Sequence, residues 1–535
     1  MTRADAAGMS VGTVAMAVLV ELTQSTANHA PASTAIRFEV YRDGVRLMNF
    51  SPMGAMPMGP ESVPISGNIS FRDGLLILDR GDDHAAGISL LWDIGPLGAF
   101  ELETTRVLPR ERPYNLNVEL ARFRLMKIVQ KLEDWNLFDF PRVEKYTLRF
   151  REAQALFAEA LGKLDEGAVA SVLGDQSLAM AVDLSEQLAV FHSDLLINRR
   201  RAANTFVKHI FGARVDTTIQ NQAYRDKLVG NFDYAVLPMS WGELQPQEQE
   251  FRTEVLDHWV ETLALRRVPI IAGPLIDLNN APDWLFVFEH DFDTLRELAY
   301  EFVQKVLHRY RKAVSVWNVA AGLPTNAAFT LSFEQIIEMT RLLVSQVKNM
   351  IPNARVIVTV THPFGEYHAR AKTSVAPMLY AEMIAQAGIN FEAFGLEIEM
   401  GVPTPGGFAR DLFQLSCMLD RFSTLGRPLF ITAATAPGRN GPDASDRSGG
   451  KLDPSLAGRW HRPWDPQLQA DWMEQFYRVC LSKPFVESVS WGNLADMNPS
   501  IPSGGMMDDL LQPKPVFERL KLMREKFHSW HVKKP

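Results

Sequence analysis

The sequence predicts an α/β protein: a (β/α)8 TIM barrel preceded by a small antiparallel β domain and a helical connecting segment. Three observations carry this. From residue 206 onward, eight short apolar runs alternate with amphipathic stretches over roughly 320 residues, the span that a (β/α)8 barrel with long loops needs. Residues 35–110 instead alternate apolar and polar side chains between Asp-Gly turns, and residues 111–202 change to helical spacing. A doubly wound sheet is the alternative, weakened because no Gly-x-Gly-x-x-Gly follows the first apolar run.

Taken in order, residues 1–34 read as an N-terminal extension or a signal segment. The uncharged stretch from Ala6 to Val20 is shorter than the ~20 residues that span a bilayer. It has the character of a signal-peptide h-region, with Arg3 before it and Ala30-Pro31-Ala32 as a cleavage sequence. Both a cytoplasmic and a secreted or periplasmic location follow from these alternatives. In residues 35–110, Asp43-Gly44 and Asp73-Gly74 suit the positive φ angles of tight hairpins, so this part reads as a β-sandwich-like domain. Trp92 and the two hairpins suggest that it binds carbohydrate. Leu116, Leu120, Phe123, Ile128 and Leu132 then fall at helical spacing, opening a helical connector over 111–202.

The barrel is assigned to residues 203–530. Its strands are expected at 206–215, 234–238, 269–272, 314–319, 356–360, 393–398, 428–432 and 488–491, with helices such as 253–266, 293–310, 333–350 and 408–425 between them. Composition narrows the chemistry. With 55 basic and 63 acidic side chains the net charge is −8, and Arg199-Arg200-Arg201 is the one basic run, so nucleic acid is not an expected partner. Two cysteines, Cys417 and Cys480, exclude a disulfide framework and a Cys-based zinc site, leaving one bridge open. No His-x-His or His-Glu-x-x-His occurs, so no metal and no other cofactor is expected, and Met53–Met58 reads as packing. Oligomeric state is left open.

In a barrel of this kind functional side chains sit at the C-terminal strand ends and in the loops after them. That rule selects Trp241 after strand two, Asp277 after strand three and Asn318 on strand four. It also selects Glu366 and Tyr367 after strand five, Glu397 and Glu399 on strand six, and Trp491 on strand eight. The loop after strand seven adds Arg439, Trp460 and Trp464, whose indoles could stack on sugar rings and whose guanidinium could fork onto hydroxyls or uronic carboxylates.

Asn-Ala-Pro-Asp-Trp-Leu (280–285), Val-Trp-Asn-Val (316–319), Leu-Gly-Arg-Pro-Leu-Phe-Ile-Thr (425–432), Ser-Trp-Gly-Asn-Leu-Ala-Asp (490–496) and Gln-Pro-Lys-Pro-Val-Phe (512–517) occur in an order, and at strand positions, that resemble the barrel of glycoside hydrolase family 10. Phe211-Gly-Ala-Arg-Val and Met239-Ser-Trp-Gly-Glu-Leu-Gln-Pro246 resemble its first two strand ends, and Pro-Tyr-Asn-Leu-Asn-Val-Glu-Leu-Ala-Arg (113–122) resembles regions preceding such barrels in planctomycete-type bacteria. The resemblance implies hydrolysis of O-glycosyl bonds in a β-linked polysaccharide such as xylan, by an acid/base glutamate after strand four and a nucleophile on strand seven. Those positions hold Gly322 and Ala433, which can neither donate a proton nor attack a carbon. Further family positions hold Ser240, Gly242 and Gly273.

Glu366, Glu397 and Glu399 are therefore the candidate catalytic carboxylates, with Trp241, Asp277, Asn318, Tyr367, Arg439, Trp460, Trp464 and Trp491 as candidate substrate contacts. Glu397 and Glu399 are two apart on a strand and share a face. The opposing expectation for this pair is a salt bridge to an arginine such as Arg439 or Arg410. Three functions follow: a hydrolase with a rearranged carboxylate set, a non-catalytic carbohydrate-binding pseudoenzyme, and a protein-interaction scaffold.

Overall fold

The computed structural model describes residues 35–137 and 143–530, so the signal-like stretch lies outside the described residues. In the N-terminal part the strands are β1 (Ala35–Glu39), β2 (Tyr41–Arg42), β3 (Val45–Arg46), β4 (Met56–Met58), β5 (Asn68–Arg72), β6 (Leu75–Asp79), β7 (Gly87–Asp93), β8 (Gly98–Glu103) and β9 (Tyr114–Asn115). Both expected hairpins form. β2 pairs β3 and β5 pairs β6 across Asp43-Gly44 and Asp73-Gly74, all four turn residues having positive φ.

The chain divides into two compact units, and the division differs from the boundaries expected at 110 and 202. The first unit comprises the described residues of 35–51, 68–87 and 103–182. Its sheet runs β5-β6-β1-β9, antiparallel except for the parallel β1–β9 pair. β1 buries alternate residues, Ile36 and Phe38, as its pattern predicts. Asn115 caps the helix Leu116–Asp134 by accepting from the Val118 amide. Buried Asn117 donates to the Tyr41 carbonyl and the Asp175 carboxylate, so two polar residues of the 113–122 motif are structural. The helical connector is not a separate layer: Glu144–Gly162 and the long helix Gly167–Ala203, up to Val182, belong to this unit.

The second unit comprises residues 52–67, 88–102 and 183–535. Its barrel strands are β10 (Phe211–Arg214), β11 (Tyr234–Leu237), β12 (Ile270–Ala272) continued by β13 (Ile276–Asp277), β14 (Val316–Ala321), β15 (Arg355–Thr361), β16 (Ala393–Glu399), β17 (Leu429–Thr435) and, after β18 (Arg459–Trp460), β19 (Val486–Trp491). All pairings between these barrel strands are parallel, β12 joins both β11 and β14, and β10 joins β19, which closes an eight-stranded barrel. Each expected strand position is occupied. Tyr234, Val236, Ile271, Ile357, Ala393 and Phe430 form a buried cluster. Further along the strands Thr359 donates to Asn318 Oδ1 at 3.0 Å, and beyond this polar layer lie the C-terminal strand ends. Amphipathic helices cover the outside, entered through caps such as the Ser332–Gln335 and Asp411–Gln414 capping boxes.

β4, β7 and β8 form a second sheet in this unit with β18, in the order β18-β8-β7-β4. The strands over 35–110 are divided between two sheets, and β8 pairs with Arg459–Trp460 from the loop after β17. Trp92 on β7 is buried and offers no open indole face for a sugar. Met56 and Met58 are buried, as expected of packing residues. Cys417 and Cys480 are not bridged to each other.

Candidate functional site at the barrel mouth

At the C-terminal end of the barrel, β16 presents Glu397 and Glu399 on one face, both half-buried. Glu397 Oε1 lies 3.6 Å from Arg214 Nη1 at the end of β10, and its side chain is 23% exposed. Burial pushes the Glu397 carboxyl up to about 7; Arg214 opposes the rise, while Asp277 and Glu399 add to it. Asp277, at the end of β13, is also raised, chiefly by burial. Against that rise stand hydrogen bonds from the Asn280 side chain and the Asn279 amide, with Arg214 and His362 as further neighbours that lower it. The mouth therefore holds three carboxyls from two strands around one guanidinium. A carboxyl that stays protonated to near neutrality and still reaches solvent is able to give a proton to a bound molecule.

Two neighbours complete the arrangement. Thr361 pairs in register with Glu397 across β15 and β16, is 7% exposed, and its hydroxyl has no hydrogen-bond partner among the described residues. Ala433 pairs with Glu397 on the other side. Gly322 follows β14 with φ +68; a Cβ there would lie 2.8 Å from Asp277 Oδ1 and 2.3 Å from Asn279 Nδ2. Asp277 and Asn279 fill the space a side chain at 322 would need.

The structure separates the other expected residues from this cluster. Glu366 is 2% exposed, is ion-paired to buried Arg410, and accepts from the Gly406 amide at 2.7 Å. Arg410 also lies over the Phe364 ring at 3.9 Å. The structure thus places this carboxylate between two loops, apart from the Glu397 cluster. Arg410 does pair with a glutamate, but with Glu366 rather than Glu397 or Glu399. Tyr367 is buried and donates to the Val375 carbonyl at 2.8 Å.

The indoles are equally committed. Trp241 stacks on Phe302 and donates to Gln245; Trp491 donates to the Gly504 carbonyl; Trp460 donates to Glu186 at 2.6 Å; Trp464 is buried. None presents an open face to a sugar, a correction whose cause is the affinity of large rings for the interior. Arg439 is exposed and lies 3.9 Å from Asp443, and Asn318 is inside the barrel. Sequence reasoning missed Arg214 and Thr361. The strand-end rule applied to β10 and β15 points to both, but neither residue type draws attention without knowing what it faces.

Among the described residues no group of three His, Cys, Asp or Glu side chains is arranged to hold a metal ion, and no helix is long and apolar enough to cross a membrane.

No protein-family model matches the chain, and no curated protein matches it. The solved structures it is similar to include xylanases. Xylanase 10B from Thermotoga maritima is 16% identical and covers 62% of this chain and 98% of its own, with a TM-score of 0.47. Xylanase B from Clostridium stercorarium F9 is 16% identical over 61% of this chain and 98% of its own, at 0.45. A GH10 endoxylanase from a sugarcane soil metagenome is 15% identical over 60% and 98%, at 0.46. The barrel itself is established by its own closed ladder of strands.

Proposed function

We propose that the barrel is carbohydrate-active and hydrolyses O-glycosyl bonds of a β-linked polysaccharide such as xylan, using Glu397 as its proton-donating acid. The carrying observation is Glu397 itself: a solvent-reached carboxyl held up to about 7 among Asp277, Glu399 and Arg214 at the end of the barrel where such folds place their chemistry. Support for the glycan class comes from the ordered family-10-like segments along the strands. The site differs from that family pattern, since Gly322 and Ala433 carry no carboxylate. Glu366 takes no part, and sugar contacts fall to Arg214, Asn279 and the loop arginine Arg439.

A second reading, a non-catalytic glycan-binding pseudoenzyme, is favoured by Gly322 and Ala433. One experiment divides the two. Reducing ends released from xylans, glucans, mannans and uronate polymers are measured for the parent and for a folded Glu397→Gln variant. Turnover by the parent that falls by about 100-fold or more in the variant supports the hydrolase. Undiminished turnover by the variant removes Glu397 from the mechanism. No turnover, with retardation of the parent in polymer-containing gels, selects the binding reading, and neither effect overturns both.

A further inference from the structure

The positions of the acids relative to one another carry a more specific assignment, which rests on the reading of the mouth as a glycoside-hydrolysing site. Gly322 follows the fourth barrel strand and Ala433 lies on the seventh, three strands apart. Asp277 ends the third strand and Glu397 lies on the sixth, again three strands apart. Asp277 pairs in register with Ala321, the residue before Gly322, and Glu397 pairs with Ala433. Glu397 thus has Ala433 itself as a strand neighbour and Asp277 has the residue before Gly322, in the same sense around the barrel. The Asp277 oxygen also lies 2.8 Å from where a Cβ at 322 would be. An independent sign of a ligand is the Thr361 hydroxyl, 93% buried (7% exposed) and unpartnered beside Glu397 on the shared strand face.

We propose that Asp277 is the second catalytic carboxylate, paired with Glu397 in an acid set turned by one strand around the barrel. In the step this pair performs, protonated Glu397 gives its proton to the glycosidic oxygen. The bond from the anomeric carbon to that oxygen breaks, and its electron pair leaves with the oxygen. The Asp277 carboxylate opposes the positive charge that develops on the anomeric carbon and ring oxygen. A water then bonds through its oxygen to that carbon, and its released proton passes to the Glu397 carboxylate, restoring the acid. One water is consumed per bond broken. Arg214 stands beside Glu397, and Glu399 and His362 are the other titratable groups facing the pair.

Asp277 also caps the short 3-10 turn Leu278–Asn280, so its charge and its capping must be tested apart. Asn is as good a cap as Asp, so Asp277→Asn keeps an acceptor for the Asn279 amide while it removes the charge and the acceptor of the Asn280 side-chain bond, and Asn280→Ala, which loses that bond alone, is the control. Parent, Asp277→Asn and Glu397→Gln are assayed on xylo-oligosaccharides and on a 4-nitrophenyl β-xylobioside, whose leaving group needs no proton. Asp277→Asn is expected to lower kcat by about 100-fold or more on both substrates, with KM within a few-fold and the alkaline fall near pH 7 on the oligosaccharide retained. Glu397→Gln is expected to lose that alkaline fall and to be far less impaired on the aryl glycoside than on the oligosaccharide. If the parent acts through Glu397 but Asp277→Asn keeps its kcat within about three-fold, this assignment alone is overturned. A parent inactive on every substrate overturns the assignment together with the reading beneath it.

Discussion

Glu366 and Glu397 are both glutamates at strand ends of one barrel, and their surroundings give them opposite tasks. Glu366 meets buried Arg410 and a backbone amide, so its charge is neutralised in place. Glu397 meets an arginine only at 3.6 Å, and its carboxyl is raised chiefly by burial, with Asp277 and Glu399 adding to the rise. Glu366→Gln leaves the Arg410 guanidinium buried without its counter-ion, and a loss of about 3 to 5 kcal/mol is expected in urea unfolding. Glu397→Gln takes a counter-ion only from the partly exposed Arg214, at 3.6 Å, and is expected to cost less. A smaller loss for Glu366→Gln than for an exposed control would show that the pair does not hold the loops.

At the scale of the element, β18 shows how a loop with the composition of a glycan surface becomes packing. Arg459 and Trp460 pair with Ala99 and Gly98, and the Trp460 indole is drawn inside to Glu186. The approach depends on Gly98, with φ +132 and only 2.5 Å between an added Cβ and the Arg459 carbonyl oxygen. Gly98→Ala is expected to cost about 1 to 3 kcal/mol through strain and separation of β8 from β18. The check is the urea midpoint, together with the fluorescence of Trp460 against a Trp460→Phe background. An unchanged midpoint would mean that the strand pair contributes little.

At the scale of the whole molecule, Glu397 ties stability to pH. Its folded pKa, about 7, lies above its ordinary value of 4.5. Its contribution is therefore fully present below about pH 4.5, declines as pH rises, and is lost above about 7. Other carboxylates and histidines titrate over the same range, so the quantity to measure is the stability difference between parent and Glu397→Gln. That difference is expected to move against the parent by on the order of 2 to 3 kcal/mol between pH 4.5 and 8, read from thermal unfolding. A pH-independent difference would place the Glu397 carboxyl in water.

The barrel was legible because its signal is local. Short apolar runs such as 234–237 and 393–398, spaced by amphipathic helices, have few other ways to bury themselves, and the residue type at 322 or 433 is visible without any structure. The Asp-Gly hairpins were legible for the same reason, since two neighbouring residues set the turn. What a side chain faces is not local. Glu366, Glu397 and Glu399 are alike in sequence, and only closure of the barrel brings Arg214, 183 residues away on the first strand, beside one and leaves Arg410 to another. The same holds for Trp460 and Trp491, whose rings could have lain on either side of their strands. The sequence by itself determined the strand order and the absence of carboxylates at 322 and 433, because both follow from neighbouring residues. Tertiary structure alone decided that Asp277 stands beside the first of these positions and Glu397 beside the second, because register between strands far apart in the chain is set by closure of the sheet.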